Sequence, residues 1–163
     1  VIENKLDYGR LKNTVPQSVN YSYSKSDDLY PVIFCDPDNI DSNLSIITYG
    51  GSIHHVMEAI DSIFYEYETI PNIIILTKIY PINFNDIFEL TKDSEYIVTV
   101  EESNVEGGFG SEIISSLIEM DNLKNKKYLR IGLENIPIPS TKSLESQMLV
   151  SPEMIVEKMK KIL

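Results

Sequence analysis

This chain predicts an α/β fold, a three-layer α/β/α sandwich around a mostly parallel sheet, and three stretches carry the prediction. Residues 96–117 read as strand, glycine turn and helix. Ile97 to Val100 is a β-branched run suited to a strand buried on both faces, Gly107, Gly108 and Gly110 permit a tight turn, and Ile113, Ile114, Leu117 and Ile118 then share a helical face. Leu44 to Tyr49, Gly50-Gly51 and a periodic run containing Val56, Ile60, Ile63 and Tyr67 repeat the pattern. Asn72 to Ile79 is almost wholly apolar, as a central strand covered on both faces should be. Repeated strand–turn–helix order is the half-unit of a parallel sheet of four or five strands, with right-handed crossovers.

Taken in order, Val1 to Arg10 begins apolar and turns polar, like the tail of a strand whose sheet lies elsewhere. A first residue other than Met adds the expectation of a piece of a longer chain. Residues 11–42 are rich in Ser, Asn, Asp and Tyr and read as a linker with one short strand or hairpin at Pro31 to Cys35. The tyrosines Tyr8, Tyr21, Tyr23 and Tyr30 are expected to pack on the domain surface. The division is thus 1–42 for the tail and linker, and 43–163 for the domain.

In the second unit Ser52 is the expected N-cap of a helix from Ile53 to about Glu66. After the 72–79 strand, Asn83 or Asn85 caps a helix to about Thr91. Glu101 and Glu102 end the apolar run of the organising strand, and a polar loop leads to the glycines. Lys124 to Lys127 reads as a basic solvated loop, Tyr128 to Ile131 as a strand, and Asn135 to Ser140 as extended coil because its two prolines remove donors. Ser151 at N-cap and Pro152 at N1 start a last helix, with Ile155, Met159 and Ile162 as its buried stripe. Lys158, Lys160 and Lys161 suit the negative end of that helix.

The 163 residues are enough for one domain with a proper core. A net charge of −11 argues against nucleic acid and anionic membrane surfaces as partners. Cys35 is alone, so no intrachain disulfide forms, and with His54 and His55 it makes a poor metal set. A reducing, cytoplasmic setting is the default, with no signal peptide and no apolar run near membrane-spanning length.

The glycine turn admits two functional readings. Backbone N–H groups at a helix start can face a phosphate, or the turn is structural. The spacing matches neither the dinucleotide fingerprint nor a P-loop, and Glu101, Glu102 and Glu106 would repel a phosphate, which favours the structural reading. His54 and His55 project about 100° apart on a helix and have no nucleophile pattern beside them, which favours a structural or interface role.

Val98-Thr-Val-Glu-Glu102 followed by Gly107-Gly-Phe-Gly-Ser-Glu-Ile113 resembles the signature of the C-terminal domain of the transketolase-like superfamily. Tyr49, Gly50, His55, Glu58 and Ala59 resemble its first strand and helix, and Lys78-Ile-Tyr-Pro-Ile-Asn83 its run from strand to helix. Glu3, Lys5 and Tyr8 resemble the run that closes the preceding pyrimidine-binding domain. Ile136-Pro-Ile-Pro-Ser-Thr-Lys-Ser-Leu-Glu145, with Leu149, Pro152 and Ile155, resembles the tail of the β part of 2-oxo acid dehydrogenase E1 components. The exit from the last strand, Gly132-Leu-Glu-Asn135, departs from the commoner turn.

The resemblance implies the C-terminal domain of a thiamine-diphosphate-dependent E1, a pyruvate dehydrogenase type of oxidoreductase. The complete enzyme would decarboxylate a 2-oxo acid and reductively acylate the lipoyl group of E2. It implies thiamine diphosphate and Mg in the full enzyme, and neither bound to this chain. It also implies an E1 α part, E2 and a homodimer or heterotetramer as partners. No catalytic, cofactor-binding or metal residue is expected within these residues, since the Gly-Asp-Gly metal motif and the activating glutamate are absent. Gly107, Gly108 and Gly110 are then a structural turn or anion site, and His55, Glu101, Glu102 and Leu163 candidate interface residues. The alternatives are the same domain of a deoxyxylulose-phosphate synthase or transketolase, and a non-catalytic ligand-binding regulatory module.

Overall fold

The computed structural model describes residues 16, 19–120, 125–135 and 148–163. Among them, β1 (Tyr21–Lys25), β2 (Val32–Pro37), β3 (Leu44–Tyr49), β4 (Asn72–Leu76), β5 (Tyr96–Asn104) and β6 (Lys127–Leu133) form one sheet in the order β1-β2-β4-β3-β5-β6. β4, β3, β5 and β6 run parallel; β2 is antiparallel to β4, and β1 to β2. The helices of the described residues include α1 (Ser52–Tyr67), α2 (Phe84–Thr91), α3 (Phe109–Met120) and α4 (Pro152–Met159). The sheet has six strands rather than four or five, because the hairpin expected within 11–42 joins its edge. Only Tyr21 of β1 is buried, so this edge offered little apolar pattern to read.

Period-two alternation places the sheet's side chains on two faces. Leu44, Ile46, Ile73, Val98, Val100 and Ile131 meet Val56, Ile60 and Ile63 of α1 and Ile155 and Met159 of α4. The opposite side chains, Ile47, Ile74 and Ile97, meet Ile87 of α2 and Ile113 and Leu117 of α3. Helices on both faces give the three layers. Each fully buried aliphatic side chain contributes about 1.5–3 kcal/mol of transfer free energy.

Several element ends differ from expectation. Ser52 lies inside α1 and Gly51 is its N-cap; the Ser52 hydroxyl donates to the Tyr49 carbonyl at 2.8 Å. Asn83 holds the N-cap position of α2 without a side-chain capping bond. β4 stops at Leu76, and the next residues clasp the hairpin. Thr77 Oγ1 donates to the Pro31 carbonyl at 2.8 Å and Lys78 Nζ lies 2.7 Å from Asp28 Oδ2. Lys127 belongs to β6, and Lys126 Nζ donates to the Thr91 and Lys92 carbonyls, both at 2.7 Å, satisfying the end of α2. Ser151 caps α4 as expected, accepting from the Met154 N–H at 3.2 Å, with Pro152 in the first turn. The readings of 1–10, of Lys124 and of 136–147 lie outside the described residues.

Candidate functional site

The glycine turn sits where β5 leaves the sheet and α3 begins. β5 does not stop at Glu101 and Glu102 but continues to Asn104, with a register irregularity between Val100 and Asn104 against β6. Alternation carries Ile97, Thr99 and Glu101 to the α3 face. Glu101 is therefore not a solvated interface residue; it is 1% exposed. A buried carboxylate is costly unless fully hydrogen-bonded.

This one is. Glu101 Oε2 accepts from the Tyr49 hydroxyl at 2.7 Å, the Ser103 hydroxyl at 2.6 Å and the Phe109 N–H at 2.9 Å; Oε1 accepts from the Gly110 N–H at 3.0 Å. The two amides belong to the first turn of α3, whose orphan N–H groups and dipole favour negative charge. An internal carboxylate thus stands where a phosphate would bind. Burial, and then the hydrogen bond to Glu101 and its charge, raise the Tyr49 phenol well above its ordinary value, so it remains a donor. The Tyr49 ring also meets Phe109 edge-on, with centroids 6.0 Å apart.

The glycines follow from this arrangement. Gly107 has φ +74°, the left-handed region. A Cβ at Gly108 would lie 2.3 Å from the Asn104 carbonyl oxygen and 2.5 Å from Glu101 Oε1. A Cβ at Gly110 would lie 2.5 Å from Thr99 Oγ1 and 2.8 Å from Glu101 Oε1. Arg130 of β6 braces the loop from outside, donating to the Val105 carbonyl at 2.7 Å and to the Ser111 hydroxyl.

The other candidates lie apart from this cluster or at its rim. Glu102 and Glu106 are exposed, and the Asn135 amide donates to Glu106 Oε2 at 3.0 Å. His54 and His55 are partly buried in the first turn of α1, and His55 Nδ1 is enclosed without a hydrogen-bond partner. Leu163 is exposed beyond α4. Sequence reasoning missed Ser103, Thr99 and Arg130 and gave Tyr49 no role in the site. The available signal was the period-two run from Ile97 to Glu101, which aims Glu101 at the helix. Among the described residues, no three His, Cys, Asp or Glu side chains stand close enough to hold a metal ion, and no helix is long and apolar enough to cross a membrane.

The fold is that of a mostly parallel α/β/α sandwich in which a buried glutamate ties the carboxyl end of a central strand to the following helix. The chain belongs to the transketolase C-terminal domain family, whose model matches residues 35–155. It is 28% identical over 121 residues to the pyruvate dehydrogenase E1 component subunit beta of Gracilaria tenuistipitata var. liui, covering 74% of this chain and 37% of that one. The mitochondrial subunit of Saccharomyces cerevisiae is 25% identical over 124 residues, covering 75% and 34%. Among solved structures, a split-gene transketolase in an inactive beta4 tetramer superposes with a TM-score of 0.61 at 19% identity, over 72% of this chain and 38% of that chain, which supports the fold. The chain spans little more than a third of the length of these relatives.

Proposed function

We propose that this chain is the C-terminal domain of the β part of a thiamine-diphosphate-dependent 2-oxo acid dehydrogenase E1. Its work is architectural: it supports the dimer and offers a contact to E2, while the assembled enzyme decarboxylates a 2-oxo acid and reductively acylates lipoyl-E2. The observation that carries this is the 28% identity over 121 residues to an E1 beta subunit, alongside the family match over residues 35–155. An E1 α part, Mg and a cytoplasmic setting belong to the same reading. So does the division at residue 42, the linker lending its hairpin to the sheet.

Thiamine diphosphate does not fit the residues described. A diphosphate with its divalent ion needs free donors and oxygen ligands. Glu101 takes two of the free donors at the start of α3, the Phe109 and Gly110 amides, and the described residues offer no group of three metal-ligating side chains. On this reading the cofactor belongs to polypeptide outside this chain. Isothermal titration of the chain with thiamine diphosphate and Mg2+ should give no binding heat; saturable micromolar binding would contradict the assignment.

The E1 reading is tested on the complete parent chain with its α partner, by reduction of a lipoyl domain on adding a 2-oxo acid. Turnover of sugar phosphates instead would favour the transketolase alternative. The net charge of −11 favours a basic surface on E2, and truncation before Lys160 should weaken E2 binding. Unchanged affinity would exclude that contact.

A further inference from the structure

The amino terminus of α3 has the parts of a carboxylate receptor. Four donors from three separate segments converge on one carboxylate: the Tyr49 and Ser103 hydroxyls and the Phe109 and Gly110 amides. The helix behind them is 12 residues long, so its dipole is developed. A further polar group points there without a partner. Thr99 is 2% exposed, and its Oγ1 makes no hydrogen bond. The position a Gly110 Cβ would take is 2.5 Å from that oxygen and 2.8 Å from Glu101 Oε1, so the hydroxyl and the carboxylate crowd the same narrow space.

We propose that the amino terminus of α3 is a binding site for a small carboxylate, filled in cis by Glu101, and that it takes up free acetate when that side chain is cut back to alanine. The deleted group and acetate have the same heavy-atom composition, with the free methyl seated at van der Waals distance from the remaining Cβ. Glu101→Ala removes Cγ, Cδ and both carboxylate oxygens, which are the heavy atoms of acetate. The donors lie on strand ends and a helix start, elements that both faces of the sheet hold in place, so the receptor outlasts the loss of its ligand. Thr99 supplies one more hydroxyl to a ligand that is free to turn. In the natural chain the tethered carboxylate acts at a high effective concentration, which keeps other anions out. This inference stands independently of the E1 reading, since it concerns only the closure of the turn.

Thermal unfolding in sodium acetate and in sodium chloride at equal ionic strength tests it. The Glu101→Ala chain should unfold at a lower temperature than the natural one. Acetate should then raise its midpoint saturably by about 2–4 °C, a shift typical of a modest free-energy gain in a chain of this size. The natural chain should gain nothing beyond the general salt effect. Glu101→Ala combined with Thr99→Val should recover less; equal recovery would overturn the proposal, because the unpartnered Thr99 hydroxyl would then play no part in binding. An acetate effect equal in natural and Glu101→Ala chains, or absent from both, would overturn the proposal. Should Glu101→Ala fail to fold in chloride, its refolding yield should rise in acetate, and equal yields in the two salts would overturn it as well.

Discussion

Gly50 lies in the turn before α1 and Gly110 in the first turn of α3, and the two answer to different constraints. Gly50 has φ +60° and open space around its missing Cβ, so Gly50→Ala meets only the left-handed backbone penalty and should cost about 1–2 kcal/mol. At Gly110 the missing Cβ is space occupied by Thr99 Oγ1 and Glu101 Oε1. Gly110→Ala should cost about 1–3 kcal/mol through overpacking, despite alanine's better helix propensity, and should disturb the Tyr49 environment as well. Near-ultraviolet circular dichroism with urea unfolding separates the two, because Gly50→Ala should leave the aromatic signal unchanged. Glu101→Gln keeps the shape and turns an acceptor oxygen into a donor facing N–H or O–H groups. It should cost about 2–3 kcal/mol in urea unfolding, and a loss below about 0.5 kcal/mol would contradict the hydrogen-bond assignment. At this scale the chain announced a turn but not its cause. Three nearby glutamates suggested that phosphate would be repelled. Glu101 is itself the anion at the turn, a fact visible only once the parity of β5 is carried past Val100.

Caps illustrate the same point for elements. Ser151 was legible as an N-cap because Pro152 fixed the frame of the helix. Ser151→Ala should cost about 1 kcal/mol of stability, through the lost bond to the Met154 amide. Asn83 has the same position on α2 without the bond, and Asn83→Ala should change stability by only a few tenths of a kcal/mol, measured in the same urea titration. Ser52 looked like a cap from its place after two glycines, but Gly51 takes that role and Ser52 turns back to Tyr49. The bounds of β3 are legible to the residue because Gly50 ends the run from Leu44 to Tyr49. β4 was read three residues too long, since the apolar character of Ile79 outlasts its pairing with β3 and β2. Lys126 looked like one member of a basic loop; it closes α2, a contact between segments 35 positions apart that no local pattern encodes.

Across the whole molecule, the parallel core and its two helical layers followed from the repeated strand–turn–helix order. The antiparallel hairpin edge did not, because β1 exposes four of its five residues. Closing both faces buries Cys35 completely, and burial pushes its thiol up to about 11 from the ordinary 9.0. Burial also raises the Tyr21 and Tyr49 phenols. Between pH 9 and 11 these groups keep protons in the folded chain that the unfolded chain releases, so their contribution to stability is held below about pH 9 and falls as pH rises through that window. The thermal midpoint should drop progressively there, and a flat profile would show these groups to be solvated. The native thiol should also resist a thiol reagent that labels the denatured chain at once.

Whether the first turn of α3 is free to receive an outside anion decides between a closed turn and a ligand site. Following the Phe109 and Gly110 amide resonances while inorganic phosphate and pyrophosphate are titrated into the natural chain asks this directly. Glu101 holds both amides, so their chemical shifts should not move beyond the general salt response. A saturable shift at these two residues would mean that the turn is an open anion site and that the domain binds a ligand of its own.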